Sequence, residues 1–331
     1  MHCRNISRGG WSMSPEHSYR YLFGPVPSRR LGSSLGVDVV PFKTCTYDCV
    51  YCQLGRTTDK ICDRREFFPA HEIVSEIGEG LANMAAPDYI TLSGSGEPTL
   101  YSKLGEIITG IKKITDIRVA VLTNGSLLFL DEVRRSVMEA DLVIPSLDAG
   151  DEETFGKVNR PHPEITFEKM VQGLVALRRE FSGPFWLEVF MVNNMTTRKE
   201  QILRITSLIE KIGPDRVQLN TALRGAAEEF VEAVSLQEMR EIRSLIGGNA
   251  EIISHDDRGH EESGHEIKQE DIFNLLRRRP CTIDDISSGL NIHRNEAIKH
   301  VTALKEKDLI AMKRSKGTVL YVAHNINMNQ R

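Results

Sequence analysis

No run of about 18 apolar residues occurs in this sequence, which excludes a membrane-spanning helix of ordinary length. The first dozen residues, with Arg4, Arg8 and scattered Ser and Gly, lack the continuous apolar stretch of a signal peptide. Both absences make a cytoplasmic protein the expectation. Cysteine is scarce and unevenly placed: three of the six lie between residues 45 and 52, while Cys3, Cys62 and Cys281 stand apart. A secreted disulfide framework is shorter and more evenly studded, so the cluster argues for a metal in a reducing compartment. The net charge of −4 shows little excess of either sign but conceals an asymmetry. From Lys268 onward basic residues outnumber acidic ones twelve to seven, and the rest of the chain carries 30 against 39. The tail is basic and the body acidic.

What is present is the patterning of a parallel α/β protein, in a chain of 331 residues long enough for one large domain and a small one. Six short β-branched runs recur at 35–40, 89–93, 119–123, 142–146, 186–192 and 216–220, apolar at nearly every position. Such strands suit a sheet buried on both faces. Between them, 70–84, 101–114, 131–140, 166–181, 197–212 and 236–246 carry apolar residues three and four apart and read as amphipathic helices. A seventh strand is a candidate at 251–253. The order predicts a partial (βα)6 TIM-type barrel over 19–254, with a flat doubly wound sheet as the competing architecture. Residues 1–18 are unpatterned and are read as an extension.

The polar stretch 255–267 reads as a linker. Its histidines, His255, His260 and His265, are five apart and share no helix face, so solvated side chains are expected there rather than metal ligands. Beyond it, over 268–331, a helix around 272–276 is followed by Thr282 three residues before Asp285, a capping pattern opening a second helix. A third helix at 293–307 and a hairpin at 313–322 with Gly317 at its tip complete the outline of a winged helix-turn-helix.

The chemistry is concentrated in KTCTYDCVYCQLG, where Cys45, Cys49 and Cys52 are spaced C-x-x-x-C-x-x-C. Three thiolates on one loop can bind three irons of a cubane and leave the fourth iron open. Zinc is the alternative, although structural zinc takes four ligands and no pair of Cys or His at ligand spacing completes the set. Cys62 reads as an incidental thiol. At the end of the second predicted strand, SGSGEPTL places glycines for close backbone approach beside Glu97, a carboxylate able to accept from an ammonium.

These residues resemble the radical S-adenosylmethionine (SAM) superfamily, in which the cysteine loop follows the first barrel strand; the likeness extends over about residues 21–250. The resemblance implies a [4Fe-4S] cluster on Cys45, Cys49 and Cys52, SAM chelated by its amino and carboxylate groups on the open iron, and Tyr51 along the adenine. Ser95-Gly96-Glu97 stands in register with the family's Gly-Gly-Glu motif, one Gly being Ser, with Pro98 following. Thr123 and Asn124 end the third strand. Ser146 and Asp148 end the fourth, where the family binds the ribose hydroxyls; as N-caps of the following helices these four residues have an equally ordinary reading. Asn193 and Asn220 end the fifth and sixth strands, facing the adenine or the substrate. All of these positions fall at the C-terminal ends of successive strands, the face where barrel active sites are built.

The segment GPVPSRRLG, at 24–32, and NRPHP, at 159–163, resemble a subgroup related to the wyosine-forming tRNA enzymes. Arg29, Arg30, Arg160 and His162 are therefore candidates for the substrate side, against the plainer reading that arginines pin a loop. The implied activity is reductive SAM cleavage, fed by a one-electron reductant such as flavodoxin or ferredoxin. RNA, held by the basic winged helix through Arg294 and Lys299, is the first substrate expectation. The alternatives are a peptide, protein or small metabolite with the tail as docking domain, and an Fe-S redox-sensing DNA-binding regulator, which would need no SAM site.

Overall fold

Strand β1 (Leu22–Ser28) folds back antiparallel onto β2 (Gly32–Val37), and this hairpin begins the fold. Proline supplies no ladder N–H, and the register shift between Phe23 and Val26 places Gly24 and Pro25 in an irregularity where none is needed. The Gly- and Pro-rich stretch expected to be loop is thus a strand, and β2 starts at Gly32 rather than 35. The computed structural model describes residues 19–28, 30–222, 226–253, 269–278, 280–290, 292, 294–315 and 318–324. The expected extension at 1–18, the linker at 255–267 with its three histidines, Arg29 and Gly317 lie outside the described residues.

After the cysteine loop, which contains the two-residue strands β3 (Thr44–Cys45) and β4 (Asp59–Lys60), strands and helices alternate. Helix α1 (Ala70–Ala82) leads to β5 (Tyr89–Leu92), a 3-10 turn at Pro98–Leu100, α2 (Leu104–Ile114), β6 (Arg118–Thr123) and α3 (Asp131–Ser136). Then come β7 (Leu142–Pro145), α4 (Glu152–Val158), α5 (Phe167–Glu180), β8 (Trp186–Met191), α6 (Lys199–Ile212), β9 (Arg216–Thr221), α7 (Leu236–Ile246) and β10 (Ala250–Ile252). Strands β2, β5, β6 and β7 pair in parallel in that order, as do β8, β9 and β10. Parallel bridges Val143 to Phe185 and Ser146 to Glu188 join the two sets. Every parallel strand therefore lies beside its predecessor, and the row lacks the reversal of direction that marks a doubly wound sheet. Among the described residues no ladder joins β10 back to β1 or β2.

Alternation along the strands explains their apolar runs. Ile90, Leu92, Val119, Val121, Val143, Leu187, Val189, Val217 and Leu219 are buried against Ile73, Ile77, Leu104, Ile107, Leu174, Ile205 and Met239 of the helices. The opposite parity, Tyr89, Ala120, Leu142 and Ile144, forms a second buried layer with Leu31 and half-buried Trp186. Each fully buried aliphatic side chain contributes roughly 1.5–3 kcal/mol, so burial on both faces holds the row together.

Helix α4 is absent from the sequence-based outline. Its signal is Asp151, whose carboxylate accepts from the Thr154 N–H at 2.8 Å and from Gln201 Nε2 at 2.6 Å. Burial pulls the Asp151 carboxyl upward, but these donors and the Arg204 guanidinium outweigh it and hold it below the ordinary carboxylate value. Replacing Asp151 by Ala should lower stability at neutral pH by about 1 kcal/mol through loss of the cap. Because the folded-state value is depressed, this contribution is full above the ordinary carboxylate pKa and disappears as pH falls through the depressed one. Urea unfolding of wild type and variant at neutral and acidic pH checks both the difference and its convergence.

The described C-terminal residues form α8 (Gln269–Arg278), α9 (Ile283–Leu290), α10 (Arg294–Glu306) and an antiparallel hairpin of β11 (Ile310–Ser315) and β12 (Thr318–Ala323). They share a core of Ile272, Leu276, Cys281, Ile286, Leu290, Ala297, Val301, Leu304 and Ile310, with Val26 of β1 packed against it. Thr282 and Asp285 cap α9 reciprocally: the Asp285 N–H donates to Thr282 Oγ1 at 3.0 Å, and the Thr282 N–H donates to Asp285 Oδ2 at 2.9 Å.

Candidate cofactor site

The cysteine loop is fixed at both ends. β3 pairs in parallel with β4, the Ile61 N–H donates to the Cys45 carbonyl at 3.1 Å, and the Cys52 N–H donates to the Cys49 carbonyl at 3.1 Å. Residues 158–162 run along its back: the Asp48 N–H donates to the Asn159 carbonyl, Val50 to Val158, and His162 to the Thr46 carbonyl, all within 3.0 Å. Arg160, expected on the substrate side, has its Nη1 2.5 Å from Glu228 Oε1 and 3.9 Å from Asp48 Oδ2. The NRPHP segment thus packs on the cysteine loop, with Arg160 paired to acids of the chain itself.

The GSGEP loop packs directly on the cysteine loop. Gly96 forms a parallel bridge with Thr44, and the Glu97 N–H donates to the Thr44 carbonyl at 3.1 Å. A Cβ on Gly96 would lie 1.9 Å from that carbonyl oxygen, so the close approach glycine permits is to the loop backbone. The Ser95 N–H donates to Asp38 Oδ1 at 2.8 Å and its carbonyl accepts from the Lys43 N–H at 2.6 Å. Pro98 opens the 3-10 turn, for which buried Glu97 is the cap. Glu97 Oε1 accepts from the Thr99 N–H (3.0 Å), Thr99 Oγ1 (2.6 Å) and Thr123 Oγ1 (2.5 Å), and Oε2 from the Asn124 N–H (2.7 Å). Burial raises its pKa, and those hydrogen bonds act in the opposite direction. A carboxylate oxygen has two lone pairs, so these contacts leave one on Oε2.

At the end of β7, buried Asp148 joins three elements. Oδ1 accepts from the Phe190 N–H at 3.0 Å, and Oδ2 accepts from Asn159 Nδ2 at 2.7 Å and from the Tyr51 hydroxyl. Desolvation pushes Asp148 up to about 6, with the Tyr51, Asn159 and Phe190 donors restraining it. Tyr51 stacks on Phe190 with ring centroids 3.9 Å apart. The N-cap reading of these strand-end residues does not hold. Asp151 caps α4 and Leu130 occupies the cap position of α3, so Ser146, Asp148, Thr123 and Asn124 cap neither helix. Ser146 Oγ and the Asn193 side chain have no hydrogen-bond partner among the described residues.

Below this level, inside the row, Arg30 makes a two-pronged pair with Glu188, both N–O distances being 2.9 Å. Asn220 Nδ2 donates to the same carboxylate at 2.8 Å. Sequence reasoning named Arg30 and Asn220 but missed Glu188, Phe190 and Asn159. The signal for Glu188 was legible: an acid within the apolar run WLEVF, on a strand buried on both faces.

Burial pushes the Cys45 thiol up to about 12 and raises Cys49 and Cys52 as well. After burial, negative charge on Cys45, Asp148 and Cys52 raises Cys49 further. Such a set releases its protons to a bound cation. Among the described residues no group of His, Cys, Asp and Glu converges on a single ion. A cubane makes a different demand, since each thiolate takes its own iron. Tyr47 Oη, on a loop residue between Cys45 and Cys49, and Asn159 Oδ1, on the segment packed against the loop, are buried without a hydrogen-bond partner. The residues present fit an iron–sulfur cluster.

A family model described as the radical SAM superfamily matches residues 39–205, half of the chain, and the chain belongs to that superfamily. The superfamily uses a [4Fe-4S] cluster and SAM, which are accordingly this chain's cofactors, with an external electron donor. The chain is 33% identical to the UPF0026 protein MJ1312 of Methanocaldococcus jannaschii over 81% of this chain and 85% of that one. It is 41% identical over 92% of its length to a protein named GTPase Obg from Brachyspira hyodysenteriae, spanning only 45% of that relative. The structure of Streptococcus suis SuiB bound to S-adenosylmethionine superposes with a TM-score of 0.50 at 14% identity, covering 73% of this chain and 56% of that one, and shows likeness of fold. Membership supports an enzyme over a DNA-binding sensor. No helix among the described residues is long and apolar enough to cross a membrane.

Proposed function

We propose that Cys45, Cys49 and Cys52 each bind one iron of the cluster, that SAM occupies the fourth, and that the enzyme modifies RNA held by its C-terminal domain. The observation that carries the cofactor assignment is positional: the cysteine loop, Glu97, Thr123 with Asn124, Asp148 and Asn193 follow the C-terminal ends of successive parallel strands. We read the open row as a partial (βα) barrel, and the three helices with a hairpin as a winged helix-turn-helix. With a one-electron donor such as flavodoxin or ferredoxin, the cofactors supply a 5′-deoxyadenosyl radical for hydrogen abstraction.

The chain's own residues bind and orient. Glu97 Oε2 offers its remaining lone pair to the SAM ammonium, with Ser95, Gly96 and Pro98 shaping the loop around it. Ser146 Oγ and Asn193 are free to meet ribose or adenine. Phe190 backs Tyr51, and Asp148 fixes the Tyr51 hydroxyl. Arg30, Glu188 and Asn220 line the interior next to the site and form its substrate side. For RNA, the support is charge: Lys299, Lys305, Lys313 and Arg314 are exposed on α10 and β11. A protein or peptide substrate is the second reading, favoured by Ile298 and Met312, which are exposed on the same elements.

Anaerobically reconstituted protein given SAM and dithionite is expected to release 5′-deoxyadenosine, and cells lacking the gene are expected to lose a modified nucleoside from total tRNA. SAM turnover with an unchanged tRNA profile, and salt-independent binding by the tail, would select the protein reading.

A further inference from the structure

Two side-chain amides reach sulfurs of the cysteine triplet from different parts of the chain. Asn159 Nδ2 lies 3.5 Å from Cys49 Sγ and 2.7 Å from Asp148 Oδ2. Asn124 Nδ2 lies 3.6 Å from Cys45 Sγ and 2.8 Å from Thr46 Oγ1. A side-chain amide nitrogen carries two N–H groups, so each can serve an oxygen and a sulfur together. Their orientation is determined by other contacts. Asn124 Oδ1 accepts from the Ser126 N–H at 2.9 Å, and its backbone N–H is held by Glu97. Flipping Asn159 would set its carbonyl oxygen against the Asp148 carboxylate. The Asn159 backbone is fixed as well, its N–H donating to Phe155 and its carbonyl accepting from Asp48. Neither residue follows from the cysteine spacing, and neither is needed to ligate iron.

We infer that Asn159 and Asn124 tune the reduction potential of the cluster by donating to the sulfurs of Cys49 and Cys45; this rests on the assignment of those cysteines as its ligands. Reduction places more negative charge on the sulfurs, and an N–H dipole directed at a sulfur stabilises the reduced state more than the oxidised one. The bonds therefore raise the potential and make the cluster easier to reduce. They are positioning residues for electron entry, acting through the cysteines rather than on substrate.

The test is an EPR-monitored redox titration of the reconstituted four-iron cluster, without SAM, in wild type, Asn159→Ala, Asn124→Ala and the double variant. Each single variant should make reduction about tenfold less favourable, a downward shift of about 59 mV for one electron. The double variant should show about the sum, because the two amides serve different sulfurs. Midpoints that stay put or move upward with four irons retained overturn the inference, an upward move being the sign of water reaching the sulfurs. If Asn159→Ala does not accumulate as folded protein, Asn124→Ala alone decides, and an unmoved midpoint there is sufficient to reject it. Wild type that binds no four-iron cluster overturns the ligand assignment itself, which is a distinct result.

Discussion

Cys49→Ala protein is expected to bind no four-iron cluster and to release no 5′-deoxyadenosine, while Cys62→Ala behaves as wild type in both respects. Cys49 is the middle cysteine of the triplet; its carbonyl accepts from the Cys52 N–H and its sulfur is met by the Asn159 amide. With the cluster held as proposed, alanine leaves one iron without its thiolate, and water is a poor substitute where Cys49 packs against the main hydrophobic core. The loss should exceed the roughly 10–100-fold that removal of a ligand's supporting partner costs. Cys62 lies outside the loop, packed against the main core, where burial pushes its thiol up to about 11. Iron per chain, visible absorption and product release on the two variants separate the roles. Iron retained in full by Cys49→Ala would remove that cysteine from the ligand set.

The parallel row was legible because its strands are apolar on consecutive positions, a pattern produced by burial on both faces rather than by the local backbone. The strand-end motifs were legible for the same reason, since the ends of the apolar runs mark the mouth. The β1 hairpin was not: Gly24 and Pro25 signal loop in any local reading, and only the irregularity opposite β2 accommodates them. Partners within the site were hidden too. Glu97 lies among Thr99, Thr123 and Asn124, and Asp148 among Tyr51, Asn159 and Phe190, through pairings up to 97 residues apart. No spacing rule encodes such pairings. The arginines illustrate the same limit. Arg30 and Arg160 lie in Pro-containing segments of the sequence, but in the fold each faces a specific acid, Glu188 and Glu228 respectively. Residue type announced a charge contact without saying whether protein or substrate supplies its partner.

Gly96→Ala is expected to damage stability and cluster uptake together. The ideal Cβ position is 1.9 Å from the Thr44 carbonyl oxygen, 2.9 Å from the Thr44 carbonyl carbon and 2.8 Å from Val40 Cγ2. The first two are backbone atoms and cannot rotate aside, so the GSGEP loop must move away from the cysteine loop. That movement breaks the Thr44–Gly96 bridge and the Glu97-to-Thr44 hydrogen bond, and it displaces Cys45, the residue next to Thr44. Overpacking of this kind costs about 1–3 kcal/mol, and the lost buried hydrogen bond about 1 kcal/mol more. For a domain of this size, about 3 kcal/mol corresponds to a fall in Tm of roughly 6–12 °C. Gly156→Ala is the matched comparison: it lies on the exposed side of α4 with nothing within 4 Å of its ideal Cβ, and alanine there should be neutral or stabilising by up to about 1 kcal/mol. Thermal unfolding of both apo-proteins, followed by iron analysis after reconstitution, checks the pair. A Gly96→Ala protein with wild-type Tm and full iron content would mean that the two loops are not held in register by this contact.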